Sequence, residues 1–204
     1  MKKYSIIYAD PPWRYRDRRE GHGGVIDEYP TMDDESIKRL PIEVMANNDC
    51  ILFLWVTSPM LDVGIEVIKA WGFQFKTIGF VWSKRTKNNK PLHIGMGNYT
   101  MPNIELCLIG IRGQPKRICN NVPQLVEAIR TIHSKKPDEV RDRIVKLYGD
   151  IPRVELFTRE KHEGWDNWGN EIKSDIELEH GCQDCKYYKA CRRHRGICNM
   201  WEKA

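Results

Sequence analysis

The chain has 204 residues, 41% of them hydrophobic and 30% charged, with a formal net charge of +5. That is enough for one domain with a full core and a small appendage, and no apolar run approaches the roughly 20 residues that a membrane span needs. The excess charge is uneven: residues 181–204 hold six Lys or Arg against two Asp or Glu, a balance that suits either a polyanionic partner or plain solubility.

The first residues, MKKYSIIYADPPW, carry too short an apolar stretch for a secretory signal, so a cytoplasmic protein is expected. Residues 4–10 (YSIIYAD) read as a strand that stops at Asp10, because the residue before a proline is pushed toward extended geometry. A polar, glycine-containing loop follows to residue 30. Residues 31–40 read as a helix opened by Thr31 or Asp33, with acidic residues in its first turn. CILFLWV, residues 50–56, is a continuous apolar run typical of a strand buried on both faces. Ser58 then reads as an N-cap with Pro59 at the first helical position. The helix behind it carries Leu61, Val63, Ile65, Val67, Ile68 and Trp71 and stops at Gly72.

Residues 75–84 (FKTIGFVWSK) form the next predicted strand. The polar stretch 85–103 is long enough to mark a functional loop, and it leads into a buried strand over 104–113 (IELCLIGIRG). QLVEAIR, residues 124–130, is short and bounded by turn signals, which favours strand over helix. Residues 136–149 predict a helix with Val140, Ile144, Leu147 and Tyr148 inward and Gly149 as its stop. VELFTRE, residues 154–160, is taken as the last strand of the core. Strands alternating with helices imply an α/β fold, a mostly parallel sheet with helices on both faces, whose ligands bind beyond the carboxyl ends of the strands. Asp10-Pro11-Pro12-Trp13 lies at one such end and Arg159 at another.

A carboxylate, a fixed carbonyl and an aromatic face suit one kind of chemistry. An adenine amino group is a poor nucleophile because its lone pair is delocalised into the ring. Two acceptors, the Asp10 carboxylate and the Pro11 carbonyl, hold both amino hydrogens and favour a tetrahedral nitrogen, which an electrophilic methyl group meets in line. Trp13 offers a face for base stacking, which is worth about 1–3 kcal/mol.

With DPPW at a strand end, the sequence resembles the MT-A70 family of N6-adenine methyltransferases, which use S-adenosyl-L-methionine. The resemblance runs over roughly residues 4–172: YADPPW is followed in order by YPTMDDESI, LFLWVT, FVWSK, ELCLIGIRG, HSKKPDE, VELFTRE and GWDNWGNE. It implies a Rossmann-like methyltransferase sheet over residues 1–174. It also implies that Asp10, Pro11, Pro12 and Trp13 form the catalytic segment and that Tyr29, Trp13 and Arg16 meet the substrate. Lys136 resembles the lysine that meets the cofactor's methionine carboxylate, as a flexible point charge can. Glu155 and Arg159 match positions around the cofactor ribose and methionine end, Asn170 one that hydrogen-bonds ribose hydroxyls, and Glu171 stands where relatives often have glutamine. The backbone at Ile7 to Ala9 is expected to border the cofactor adenine. No glycine-rich G-x-G loop follows the first strand, so this is no ordinary dinucleotide fold.

Seven cysteines divide in two. Cys50, Cys107 and Cys119 are scattered, and the first two lie inside apolar runs as expected of core thiols. Cys182, Cys185, Cys191 and Cys198 crowd together as C-x2-C-x5-C-x6-C within a basic, aromatic segment. In a cytosolic protein this points to a metal module over residues 178–204, with zinc favoured and an iron–sulfur cluster an alternative, and with His180 and His194 as substitute ligands. Basic residues interleaved with Tyr187, Tyr188 and Trp201 suit nucleic-acid contact.

The expected activity is N6-adenine methylation of nucleic acid, with DNA favoured over RNA and a bacterium or a phage-infected host as the setting. Duplex DNA requires the base to be flipped out, at a cost of a few kcal/mol. Loops 14–30 and 84–103, with Arg16, Arg18, Arg19, Lys84, Arg85 and Lys87, are expected to meet phosphates. The alternatives are a catalytically silent partner subunit, a zinc-dependent nucleic-acid-binding regulator, and methylation of another amino group such as cytosine N4. Whether the chain works as a homodimer or with a partner subunit stays open.

Overall fold

The computed structural model describes residues 2–14, 31–91, 99–130 and 135–178. The expectations for Arg16, Tyr29 and the four-cysteine segment lie outside them. Seven strands form one sheet: β1 (Tyr4–Ala9), β2 (Ala46–Val56), β3 (Gln74–Arg85), β4 (Ile104–Arg112), β5 (Leu125–Ile129), β6 (Arg153–Leu156) and β7 (Asp166–Trp168), in the order β5-β3-β4-β2-β1-β6-β7. Among the described residues three α-helices accompany it: α1 (Asp34–Lys38), α2 (Leu61–Ala70) and α3 (Glu139–Tyr148). β1 pairs in parallel with β2 and with β6, with Ile7 beside both Leu52 and Val154. Only β4 runs backward, antiparallel to both β2 and β3.

Strand alternation sends successive side chains to opposite faces, and the sheet is covered on both. One face packs Ile7, Leu52, Leu54, Leu106 and Leu108 together with Ile37 of α1 and Val63, Val67 and Ile68 of α2. The other packs Ile6, Tyr8, Phe53, Trp55, Trp82 and Cys107 with Val140 and Ile144 of α3. Among the described residues no helix is long and apolar enough to cross a membrane.

Several predicted boundaries move, each for a local reason. The first helix begins at Asp34, because Asp33 is the N-cap and its carboxylate accepts from the Ser36 N–H at 2.8 Å. The cap ahead of α2 is Thr57 rather than Ser58: residues Ser58–Met60 tighten into a 3-10 turn in which the Met60 N–H reaches the Thr57 carbonyl. The third helix starts at Glu139 and leaves Lys136 in the preceding loop, while Gly149 ends it as expected with a φ of 84°. β2 extends back to Ala46 through polar residues. β6 stops at Leu156 because Phe157 turns left-handed, with a φ of 64°. A seventh strand, β7, then follows. It is three residues long and is held by the buried Asn167, whose side-chain amide donates to the Trp165 carbonyl.

Candidate active site

β1 and β6 lie side by side, and the connections leaving them diverge. The connection after β1 leads through α1 to β2, whereas β6 leads to β7 on the opposite side. A crevice opens where such connections part. Asp10 follows β1 at this rim, and its backbone N–H points to the Leu156 carbonyl of β6 at 3.4 Å. Pro11 and Pro12 then fold the chain tightly, and the Trp13 N–H returns to the Pro11 carbonyl at 2.9 Å. That carbonyl keeps a second lone pair for another donor.

Trp13 departs from expectation. It is only 5% exposed, with its indole N–H donating to the Trp55 carbonyl at 3.0 Å. It anchors the turn to β2 and packs into the core instead of presenting an open stacking face. An apolar indole beside a partnered N–H gains more from burial than from exposure.

Lys136 is the opposite case. An isolated lysine belongs at the surface, but this side chain is 9% exposed, with its ammonium 2.7 Å from Asp10 Oδ2 and 3.0 Å from Glu105 Oε2. It also sits 5.6 Å from the centre of the Trp55 ring. Burial disfavours its charge, yet the two carboxylates more than offset that and push its pKa up. Glu105 opens β4. Because β4 runs backward, its first residues lie at the same rim as the ends of the parallel strands. The second oxygen of Glu105 pairs with Lys84, near the end of β3. Burial would raise the Glu105 carboxyl, but Lys136 and Lys84 together hold it below the usual range. Asp10 remains 36% exposed at the mouth. Its carboxyl is raised by burial, with Lys136 pulling the other way.

Lys84 was expected to meet phosphate; instead it is buried, since Glu105 offers it a charge that bulk solvent would otherwise have to screen. Glu105 itself escaped the sequence reading. The available signal was its phase: it stands two residues before the buried Cys107 and on the same face.

Behind Asp10, Glu155 of β6 is buried and both its oxygens are taken by Arg141 of α3, at 2.6 and 2.8 Å. The Arg141 guanidinium lies 5.7 Å from the Tyr8 ring, and the Tyr8 hydroxyl accepts from the Trp55 indole at 2.7 Å. Arg141 was also missed, because a lone arginine in a helix reads as surface. Arg159 is exposed beside Glu171, 3.4 Å away, and Asn170 is exposed next to them. Gly169 passes so close to the segment after β6 that a Cβ there would meet the Thr158 carbonyl at 1.9 Å, which brings the Asn170–Glu171 turn against the Arg159 segment. Ile7 and Ala9 are fully buried, with their side chains in the cluster under α1 and α2, so only their backbone is left to border a ligand at the rim. Cys50 and Cys107 are buried as expected, and burial pushes the Cys50 thiol up to about 12.

Asp138, Glu160 and His162 come close enough to share a cation. Their acids are already neutralised, Asp138 by Lys135 and Arg141 and Glu160 by Lys135.

The chain matches the MT-A70 family profile over residues 4–171. It is 35% identical over 197 residues to the type II methyltransferase M.MunI of a Mycoplasma species, an alignment covering 87% of this chain and 82% of that protein. It is 30% identical over 178 residues to the human N(6)-adenosine-methyltransferase catalytic subunit METTL3, covering 84% of this chain and 29% of that one. An N(6)-adenosine-methyltransferase MT-A70-like protein of Arabidopsis thaliana is 27% identical over 172 residues, and the chain spans 24% of its length.

Proposed function

The chain belongs to the MT-A70 family of N6-adenine methyltransferases, and on that footing we propose that it methylates the N6 amino group of adenine in DNA, with S-adenosyl-L-methionine as methyl donor. The observation that carries the chemistry is the partly open Asp10 carboxylate, fixed on one oxygen by Lys136 at the end of β1. DNA is favoured because the chain is more similar to the type II methyltransferase, at 35% identity, than to the human adenosine methyltransferase, at 30%.

The donor set fits the cofactor. Lys136 has three N–H donors, of which Asp10 and Glu105 use two, leaving one for a methionine carboxylate. The Arg159–Glu171 pair and Asn170 offer both donors and acceptors to ribose hydroxyls, and the backbone at Ile7 to Ala9 borders the cofactor adenine. Glu155 supports this arrangement from behind by fixing Arg141. When bound, S-adenosylmethionine supplies an electrophilic methyl on a sulfonium sulfur that keeps the bonding pair and leaves as a thioether.

The protein's own groups prepare the acceptor. Asp10 Oδ1 takes one amino hydrogen of adenine and the Pro11 carbonyl the other, which draws the nitrogen toward tetrahedral geometry and frees its lone pair for the new N–C bond. The proton that N6 then sheds passes to the Asp10 carboxylate or to water at the mouth. Pro12 and the buried Trp13 keep these acceptors still. Tyr29 and Arg16 complete the substrate side of this proposal. The four tail cysteines, Cys182, Cys185, Cys191 and Cys198, remain a proposed zinc set, tested by metal analysis of the full chain before and after Cys182→Ser.

The purified chain incubated with radiolabelled S-adenosylmethionine and, separately, duplex DNA, single-stranded DNA and RNA is expected to label adenine N6 in DNA. The label should vanish with Asp10→Ala. Label on RNA alone would reverse the choice of polymer. Cofactor binding without label on any polymer would point to a missing partner subunit, and no cofactor binding would refute the proposal.

A further inference from the structure

The charges buried at the rim form a chain that is longer than contact with substrate and cofactor requires. It runs Lys84, Glu105, Lys136, Asp10, alternating in sign. The first three side chains are each no more than 9% exposed, and only the Asp10 end opens to solvent. Lys84 is buried: its ammonium pairs with Glu105 and lies 5.1 Å from the centre of the Trp82 ring. A buried ammonium is costly unless its charge is answered and its hydrogen bonds are made. A methionine at the same place would fill the space at lower cost. The cation therefore needs a reason beyond packing.

We propose that Lys84 and Glu105 are positioning residues for methyl transfer, which hold the Lys136 ammonium midway between Glu105 and Asp10 so that Oδ2 of Asp10 is occupied and Oδ1 faces the adenine amino group. This rests on the adenine-methyltransferase function proposed above. Without Lys84, Glu105 has a full claim on Lys136. The ammonium then shifts away from Asp10, which loses both its orientation and its counter-charge. Without the Glu105 charge the opposite happens, and Lys136 commits fully to Asp10.

The charged groups acting on Asp10 are Lys136, Glu105 and Arg159, with Glu155 farther along the same face of the sheet and the Cys107 thiol beneath. Removing the Lys84 cation raises the proton affinity of Asp10. Removing the Glu105 anion lowers it. The two substitutions therefore move the acid limb of the rate in opposite directions, which a mere staple between β3 and β4 does not do.

The test compares Lys84→Met, Lys84→Arg and Glu105→Gln in the full chain. Methyl transfer to duplex DNA is followed between about pH 5 and 9, with the melting temperature and S-adenosylmethionine affinity of each variant measured alongside. For Lys84→Met we expect kcat to fall by about tenfold and the acid limb to move up by roughly one pH unit. Lys84→Arg should recover most of the rate, and Glu105→Gln should move the limb downward. Glu105→Gln is nearly isosteric, so it carries the test alone if Lys84→Met does not fold. Variants that lose melting temperature but keep the wild-type pH profile per folded molecule, or whose limbs move the same way, overturn the inference. An inactive wild type overturns the functional proposal and this inference with it, whereas an active wild type with indifferent variants overturns this inference alone.

Discussion

The two faces of the sheet bury similar strands under different chemistry. On the side covered by α1 and α2, Ile7, Leu52, Leu54, Val56 and Leu108 meet Ile37, Val63 and Val67, and the contact is hydrocarbon throughout. On the α3 side the middle of the sheet is equally apolar, with Ile6, Phe53, Phe80 and Val126, but the rim carries Asp10, Lys84, Glu105, Lys136, Arg141 and Glu155. Strand alternation produces the separation. Asp10 follows Ile6 and Tyr8 in phase, Lys84 follows Phe80 and Trp82, Glu105 precedes Cys107, and Glu155 lies between Val154 and Leu156 of the opposite face. One face supplies stability and the other spends part of it on a built electrostatic site, as preorganised charge requires.

Paired truncations put the largest strain on that contrast. Leu52→Ala on the hydrocarbon face is expected to cost about 2–5 kcal/mol, and Glu155→Ala on the charged face about 3–5 kcal/mol, because it takes two hydrogen bonds from the buried Arg141 guanidinium and leaves Asp138, exposed, as its carboxylate partner. Denaturant melts measure both losses. Activity per folded molecule should fall only for Glu155→Ala, and an equal fall in Leu52→Ala would dissolve the distinction. Next comes Asp10→Ala, where methyl transfer should drop by on the order of 10²–10³-fold with a smaller loss of stability than Glu155→Ala, since Glu105 still answers the Lys136 ammonium.

A pH profile sharpens the same point. Asp10 must be ionised to accept the amino hydrogens, and burial raises its pKa. The rate should therefore fall with decreasing pH above the range of an ordinary aspartate, which initial rates across acidic buffers will show. An acid limb at or below that range would contradict the assignment. The smallest effect is Asp33→Ala, which removes the cap of α1 and should cost about 1 kcal/mol without touching the rate.

How much of this was legible depended on pattern length. Long apolar runs such as 50–56 and 104–112 gave their strands, and DPPW after β1 pointed to the rim. The direction of β4 was not legible, because periodicity carries no sign. With it went the placement of Glu105, which only a backward strand brings to the same rim as Asp10. Three-residue β7 has too few positions to show alternation, and it is fixed by the polar contacts of Asn167 with Trp165 and Asp175. Lys84 was expected at phosphates and Lys136 at the cofactor, and their shared pairing with Glu105 was not legible because a sequence does not show which charges will meet. Trp13 looked open for the complementary reason: its partner, the Trp55 carbonyl, is a backbone atom that no residue letter announces.

The reversal of β4 has a consequence for how such a protein can change. Had β4 run parallel to its neighbours, the chain leaving β3 at the rim would have had to cross the length of the sheet before re-entering it. Because β4 runs back, the chain leaves β3 and enters β4 at the same rim. A connection between those two ends can change in length without altering the strand order. The segment is in effect a cassette, and grafting it between relatives is the most economical way to ask whether target preference travels with it.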